Sequence, residues 1–270
     1  MSEPLLDVRN VDLYRDASQI LTNVSLKVAI GQHTAIIGPN GCGKTSLLKL
    51  LLRQFYPSIS TGGQQGTVTI LGEQHWHVAE LRRQMGVVSA LLDHQFSLGR
   101  TGRMSVRQCV ASGFNDVLLP ERCLALSTEM ESRIADTMKR TGVESIANRT
   151  MNTLSTGQRR RAIIARALVH APSILVLDEP TTGLDLAARR ELLLELQSIA
   201  DHSRVTLLLV THHLDEILPA IDHVVLMQGG VITASGSKSR TLTSQALSEV
   251  FGVSIQLEQS RDGWFTASLE

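Results

Sequence analysis

The feature that most constrains this chain is an eight-residue stretch that fits the pattern G-x-x-x-x-G-K-[ST]. It consists of Gly38, Pro39, Asn40, Gly41, Cys42, Gly43, Lys44 and Thr45. The apolar run His33–Ile37 before it predicts a buried strand, and Ser46–Leu52 after it predicts a helix. A glycine-rich turn before an ordinary helix is the alternative, but the lysine, the threonine and both flanking elements favour a phosphate-binding loop.

Each part of this stretch has a physical role in binding a nucleotide. The glycines let successive backbone N–H groups turn inward as an anion-binding nest, and the helix N-terminus adds its positive dipole. Lys44 is predicted to reach the β- and γ-phosphates, and the hydroxyl of Thr45 to bind Mg²⁺. The predicted nucleotide-binding residues extend to Ser46. The stretch therefore predicts ATP or a related nucleotide as ligand.

Composition restricts the other classes of function. Lys+Arg and Asp+Glu are both 26, so the formal net charge is zero, whereas a general nucleic-acid binder is usually basic. No nucleic-acid partner is therefore expected. No apolar run reaches the length of a membrane span, and Met1–Pro4 does not begin a signal peptide. Cys42, Cys109 and Cys123 show no paired spacing, which predicts a reduced, cytoplasmic protein without a zinc site.

Hydrophobic periodicity predicts an α/β fold with a parallel sheet and a separate antiparallel part. The predicted antiparallel strands are Leu5–Val11, Val24–Ile30 and Gly66–Gly72. Continuous apolar runs suit parallel strands covered on both faces, and they occur at Ser173–Leu177, Val205–Val210 and His223–Met227, with a shorter strand at Gly86–Ser89. Helices are predicted at Gln158–His170, Leu186–Ala200 and Ser244–Phe251, and a final hairpin turns at Arg261–Gly263. Residues 91–153 have helical spacing and predict a helical insertion.

Asp178 and Glu179 follow a buried strand, at the edge where α/β folds place their ligands. A strand-end aspartate is the usual Mg²⁺ partner in phosphate-loop enzymes, and Glu179 can orient or deprotonate the attacking water. Alone, two such acids are more often solvated strand ends. After a phosphate loop, the catalytic interpretation is favoured.

The segment Leu154–Gln158 precedes the basic run Arg159–Arg161. Ser155 is a good N-cap, so an ordinary capped helix explains part of the pattern. Cations near a helix N-terminus are unfavourable unless something anionic faces them. The basic run therefore predicts an anion site at this helix.

Taken together, these segments resemble the ATP-binding cassette (ABC) ATPase family, and the resemblance covers nearly the whole chain. The matching segments are Gly38–Thr45 (Walker A), Leu154–Gln158 (the LSGGQ signature), Ile174–Glu179 (Walker B), Gly183–Asp185 (the D-loop), Thr211-His212 (the switch histidine) and Tyr14 (the adenine-stacking aromatic). The signature is highly specific, because other phosphate-loop families lack it. In isolation, Tyr14 is equally well explained as a strand-end aromatic.

The resemblance implies a P-loop NTPase core and Mg²⁺-dependent hydrolysis of ATP. The implied catalytic residues are Lys44, Ser155, Glu179 and His212; the implied metal ligands are Thr45 and Asp178; the implied contacts across a head-to-tail homodimer are Ser155, Gly157 and Gln158. The whole chain, 1–270, is expected to be one ABC domain. Its expected parts are a core of 1–90 and 154–236, a helical subdomain of 91–153 and a tail of 237–270.

Two positions depart from the family pattern. Thr156 replaces the first glycine of the signature, and a β-branched residue disfavours positive φ. The loop is therefore expected either to run through allowed backbone space or to carry strain. Ala90 stands where the Q-loop glutamine of the family should follow Val87–Ser89, and Gln95 is the nearest replacement.

The sequence thus predicts the ATP-hydrolysing subunit of an ABC transporter, cytoplasmic and peripheral at the inner face of the membrane. A single cassette with a short tail favours an importer with a separate permease. The alternative is a soluble ABC ATPase that acts on a macromolecule or as a regulator. The transported substrate is not encoded in motifs of this kind.

Overall fold

The computed structural model describes residues 4–16, 18–60, 63–114 and 126–269. The chain divides into two compact units, one of residues 1–78 and 206–270 and the other of residues 79–205. Cys123 and the segment 1–3 lie outside the described residues, so the predictions made for them stay predictions. The same holds for residues 115–125 of the predicted helical insertion.

The first unit contains three groups of strands. Its elements are β1 (Pro4–Arg15), β2 (Ser18–Ala29), β3 (Thr34–Ile37), α1 (Lys44–Leu51), β4 (Thr67–Ile70), β7 (Thr206–Thr211), β8 (His223–Gln228), β9 (Val231–Ser237), α9 (Lys238–Thr241), α10 (Ser244–Phe251), β10 (Ile255–Gln259) and β11 (Phe265–Leu269). The antiparallel sheet has the order β2-β1-β4, and β10 pairs with β11 as the predicted hairpin. β3 lies between β7 and β8 and is parallel to both.

Burial explains why β3 and β7 are central strands. Every residue of Thr34–Ile37 and Thr206–Thr211 is buried, so both faces of each strand are covered. This is the arrangement expected of a continuous apolar run in a parallel sheet. The predicted parallel strands of the α/β fold are therefore confirmed.

The second unit is mainly helical. Its elements are α2 (Val78–Gln84, which begins one residue before the unit), β5 (Met85–Ser89), α3 (Ala90–Ser97), α4 (Gly99–Gly102), α5 (Val106–Ala111), α6 (Thr128–Arg140), α7 (Thr156–Leu168), β6 (Ile174–Asp178) and α8 (Leu186–His202). β5 and β6 form a parallel pair in which Ser89 lies opposite Asp178. The described part of residues 91–153 contains helices and short turns, as its spacing predicts.

The sequence prediction differs from the structure in the first hairpin and in β9. β1 and β2 are longer than predicted, since Tyr14 pairs with Gln19 beyond the predicted ends. Asn10 and Asn23 both have φ of 48°, and the register shifts interrupt the alternation on which the prediction depends. β9 was not predicted because Val231–Ser237 consists mostly of small and polar residues, yet it pairs antiparallel with β8.

Glu195 of α8 is a largely buried carboxylate, 15% exposed, whose ionisation opposes folding. Burial raises its pKa to about 7, while Arg161, with its Nε 3.5 Å from Oε2, lowers it less. In the unfolded chain the carboxyl has its ordinary pKa of 4.5. Between these values the unfolded state releases the proton while the folded state keeps it, so stability falls as the pH rises from about 4.5 through about 7.

We therefore expect Glu195→Gln to stabilise the protein at pH 8 by up to about 3 kcal/mol and to have little effect near pH 5. Thermal unfolding at both pH values measures this difference. Glu191→Gln is the matched control, because Glu191 also pairs with Arg161 but its side chain is 63% exposed. Equal shifts of the Glu195→Gln midpoint at pH 5 and pH 8 would show that the carboxyl does not titrate in this range.

Candidate functional site

The phosphate-binding loop connects β3 to α1 as predicted. Gly41 and Gly43 have φ of 80° and 103°, which side-chain-bearing residues rarely adopt. Gly43 is the N-cap of α1, and its carbonyl accepts the Leu47 N–H at 2.9 Å as the helix begins. Four leucines of α1 are buried and anchor the helix: Leu47, Leu48, Leu50 and Leu51. The loop is thus a rigid turn ending at a helix N-terminus.

Gly38 is required by a close approach to a neighbouring strand. A Cβ placed on Gly38 would overlap the carbonyl oxygen of Met227 in β8 and lie 2.8 Å from Cys42 Sγ. Lys44 is 5% exposed, and its Nζ donates to the carbonyls of Gly38 at 2.7 Å and Pro39 at 3.0 Å. The ammonium group therefore lies against the loop itself.

Cys42 is a structural member of the loop. Its side chain is buried, and burial raises the pKa of its thiol above the usual range, although Lys44 opposes this. Its backbone carbonyl accepts the Gly230 N–H at 3.1 Å. A thiol with a raised pKa is a poor nucleophile, so this residue acts through packing and its backbone.

The turn after β7 carries His212, in the same unit as the phosphate loop. Ile37, the last residue of β3, lies opposite Thr211, so both segments begin at the same edge of the parallel strands. The Thr211 hydroxyl donates to buried Glu216 at 2.5 Å and accepts the His213 N–H at 2.9 Å. These two hydrogen bonds fix the turn that holds His212.

Tyr14 lies near the tip of the β1–β2 hairpin, also in the first unit. It is 38% exposed, and its backbone N–H donates to Ser58 Oγ at 3.0 Å. An exposed ring at a hairpin tip is available for stacking. Its position fits both the adenine-stacking prediction and the strand-end alternative.

In the second unit, the signature segment is a capped helix start. The Ser155 hydroxyl accepts the Gln158 N–H at 3.2 Å, and the Gln158 side chain accepts the Ser155 N–H at 3.3 Å, which completes a capping box. Thr156 is the first residue of α7 and is not among the described non-glycine residues with positive φ. The departure at Thr156 is therefore accommodated in allowed backbone space. A Cβ on Gly157 would lie 3.3 Å from that of Ala188.

The arginines of the basic run pair with carboxylates of the protein, so the prediction of a bound anion from this run was wrong about their partners. Arg159 and Arg160 both pair with Asp93 of α3, and Arg161 pairs with Glu191 and Glu195 of α8. The negative charges that face this helix turn are thus carboxylates of the protein. The signature prediction depends instead on the match of Leu154–Gln158 to the family pattern.

Asp178 and Glu179 end β6 and begin the following turn. Glu179 has φ of 49°, a left-handed conformation that costs a non-glycine residue about 1–2 kcal/mol. Its Oε2 accepts a hydrogen bond from the Thr182 hydroxyl at 3.4 Å. Such strain persists only where the surroundings enforce it, and it is concentrated at active sites.

Ala90 follows directly on the strand beside these acids. Ser89 lies opposite Asp178, and its hydroxyl caps α3 by accepting the Leu92 N–H at 3.3 Å. Ala90 is the first residue of that helix. Gln95 is exposed and lies five residues later, about 7.5 Å from Ala90 along the helix axis. Gln95 therefore does not take the place of the missing glutamine at the end of β5.

These residues fit the groups that the sequence predicts they bind. The loop offers glycines that permit close backbone approach and a buried lysine, which suit a polyphosphate. Thr45 and Asp178 offer a hydroxyl and a carboxylate, the hard oxygen ligands that Mg²⁺ prefers.

We expect Thr156→Gly to leave ATP turnover within about twofold and to lower stability by about 0.4–1 kcal/mol. The reason is that glycine adds entropy to the unfolded chain, while no strain is relieved at a helical position. Steady-state turnover and thermal unfolding measure the two effects. Thr156→Ser is the control, because it keeps the hydroxyl and removes only the methyl group. A severalfold gain in turnover would mean that threonine strains the segment.

Comparison with known proteins agrees with the fold. The model of the ABC transporter family matches residues 21–182. The chain is 33% identical over 270 residues to the uncharacterized ABC transporter ATP-binding protein YlmA of Bacillus subtilis, covering 98% of each. It is 32% identical over 238 residues to the ferric enterobactin transport ATP-binding protein FepC of Escherichia coli, covering 87% of this chain and 82% of FepC.

A solved structure shows the same fold. CbiO1 of Clostridium perfringens, part of the ABC transporter complex cbiONQ, superposes with a TM-score of 0.75 at 27% identity. The match covers 92% of this chain and 94% of CbiO1. This chain therefore belongs to the ABC transporter family, and it is an ATPase, the ATP-binding subunit of an ABC transporter.

Proposed function

We propose that this chain is the ATPase of an ABC importer and couples closure of a head-to-tail homodimer on ATP to a separate membrane permease. The observation that carries this proposal is the complete phosphate loop with Lys44 buried against it. The similarity to the spermidine/putrescine import ATP-binding protein PotA of Clostridium novyi, 31% identical over 244 residues, supports the importer assignment. We place the protein at the cytoplasmic face of the membrane. In the described ranges, no helix is long and apolar enough to cross a membrane.

The proposed residue roles follow from their chemistry. Tyr14 stacks on adenine, and the loop N–H groups with Lys44 bind the phosphates. Ser155, Gly157 and Gln158 of the second chain contact the γ-phosphate, which His212 also binds. Thr45, and Asp178 through waters, would hold Mg²⁺, which would supply positive charge against the phosphate oxygens.

Hydrolysis then requires a base and an oriented water. Glu179 accepts a proton from water as the water oxygen bonds to the γ-phosphorus. The bond from that phosphorus to the bridging oxygen breaks, which releases ADP and phosphate. Because phosphoryl transfer depends mainly on positioning and charge neutralisation, the residues of this chain supply what the reaction needs.

The helical unit has an exposed apolar surface that suits a protein partner. Leu91 of α3 is 66% exposed and Leu98, seven residues later, is 57% exposed. Leu91 lies in the first turn of α3, and Leu98 is the extended residue that directly follows the helix. These exposed leucines support a contact between the helical unit and the proposed permease.

Co-purification from native membranes tests the permease. We expect tagged chain to retain one multi-span membrane protein in stoichiometric amount, and we expect Leu91→Glu to weaken that association. The exposed, apolar Leu194 of α8 provides the control Leu194→Glu. Recovery of the chain only from the soluble fraction, with a macromolecule bound, would favour the alternative of a soluble ABC ATPase.

We expect Ala90→Gln to change basal ATP turnover by less than about tenfold, because Thr45, phosphate oxygens and waters suffice for the octahedral Mg²⁺ shell. Gln95→Ala should have no effect, since Gln95 is exposed on α3. A Mg²⁺-dependent ATPase assay of both variants measures this. If Ala90→Gln hydrolyses ATP and the wild type does not, the wild type is a nucleotide-gated binding module. If Gln95→Ala loses ATP turnover, Gln95 has the role of the Q-loop glutamine.

A further inference from the structure

Arg160 of α7 is a buried charge bound to the turn that carries Glu179. Its side chain is 1% exposed. Its Nη1 donates to the carbonyls of Pro180 at 2.6 Å and Glu179 at 3.4 Å, and its Nη2 donates to the carbonyl of Thr182 at 3.4 Å. One guanidinium group thus binds three carbonyls of the turn that begins at Glu179.

This turn needs an external constraint. Glu179 has φ of 49°, a conformation that a non-glycine residue keeps only when its surroundings enforce it. The carbonyl of Glu179 itself and that of the next residue are both held by Arg160. The planar fork of arginine can hold several acceptors in fixed geometry, whereas lysine is a single flexible donor.

Asp93 orients the guanidinium group. It is 7% exposed, and its Oδ2 lies 3.3 Å from Arg160 Nη2 while its Oδ1 pairs with Arg159 Nε. Asp93 stands one helical turn after Ser89, which lies opposite Asp178 in the parallel pair. Contacts therefore run without interruption from α3 through Asp93 and Arg160 to the backbone of Glu179.

Stability alone does not explain this arrangement. A buried ion pair is often no more stabilising than apolar residues of similar volume. Among the described residues, the Nε of Arg160 has no hydrogen-bond partner, so the side chain is not fully satisfied where it lies. The feature that its contacts do determine is the path of the backbone around Glu179.

We propose that Arg160, oriented by Asp93, is a positioning residue that holds Glu179 in the conformation from which its carboxylate acts on the attacking water. The same pair connects α3 to the backbone of Glu179 and starts from Asp93, three residues after Ala90. The inference rests on the proposed role of Glu179 in ATP hydrolysis.

Arg160→Lys tests the proposal because it keeps the charge and removes the fork. We expect kcat to fall at least about tenfold while the affinity for ATP, measured by equilibrium binding, changes less than about threefold. Asp93→Asn should lower kcat in the same direction and serves where Arg160→Lys does not fold. Arg161→Lys is the matched control, since the neighbouring Arg161 pairs with α8 carboxylates, and it should leave both quantities unchanged.

A double-mutant cycle separates positioning from a general structural effect. In the Glu179→Gln background, Arg160→Lys should lower the residual turnover little further, because the group it positions is already gone. Equal fold-losses in both backgrounds, or an unchanged kcat in Arg160→Lys, would overturn the positioning role while leaving the proposed function intact. If Glu179→Gln itself turns over ATP at the wild-type rate, the proposed role of Glu179 fails, and this inference fails with it.

Discussion

Replacing Glu179 by glutamine is expected to lower ATP turnover by about 10²–10⁴-fold, the usual contribution of a general base. Glutamine keeps the size and hydrogen-bonding capacity of the side chain but cannot accept the proton of water. ATP binding should persist, because the phosphate loop and Lys44 lie in other elements. The variant should therefore accumulate as an ATP-bound dimer, which gel filtration with and without ATP detects.

The control for this substitution is Glu191→Gln, which removes an exposed carboxylate of α8 outside the proposed machinery. It should turn over ATP at the wild-type rate and show no dimer accumulation. If Glu179→Gln hydrolyses ATP as fast as this control, Glu179 is not the base. In that case another group must orient and deprotonate the water.

Gly38→Ala is expected to abolish nucleotide binding, with an affinity at least about 100-fold lower than that of the wild type. The new methyl group would overlap the carbonyl oxygen of Met227, a backbone atom held within β8. The loop must therefore move away from the strand, and its N–H groups and Lys44 would move with it. Calorimetric titration with ATP, together with circular dichroism to confirm folding, measures the effect.

Gly41→Ala provides the comparison within the same loop. Gly41 has φ of 80°, but a Cβ there meets nothing within 4 Å. Its substitution carries only the conformational penalty of about 1–2 kcal/mol, so the loss of affinity should be about tenfold. Equal losses in both variants would show that the close approach to Met227 does not shape the loop.

Local patterns were sufficient to predict the motif-bearing elements. The strand, glycine loop and helix around Lys44 form one contiguous stretch, and the N-cap at Ser155 depends on residues only three apart. The parallel strands were predictable because each is a continuous buried run. Thr156 could be flagged from its β-branched side chain, but only the helical start of α7 shows that it is accommodated.

The missed features depend on contacts between distant parts of the chain. Asp93 and Arg160 are 67 residues apart, and nothing in the local sequence of either indicates the other. The basic run therefore suggested a bound anion, whereas its partners are protein carboxylates. The left-handed conformation of Glu179 was equally hidden, since it results from a turn held by Arg160. β9 pairs with β8 through its backbone, which its small polar residues do not reveal.

The most direct test of the account is the ATPase activity of the purified wild-type chain as a function of protein concentration, with and without Mg²⁺. Each proposed site combines the phosphate loop of one chain with Ser155 and Gly157 of another. The turnover per chain should therefore rise with protein concentration until the dimer saturates, and it should require Mg²⁺. Turnover that is independent of protein concentration would contradict the head-to-tail dimer. Absence of Mg²⁺-dependent hydrolysis at every concentration would contradict the proposed mechanism as a whole.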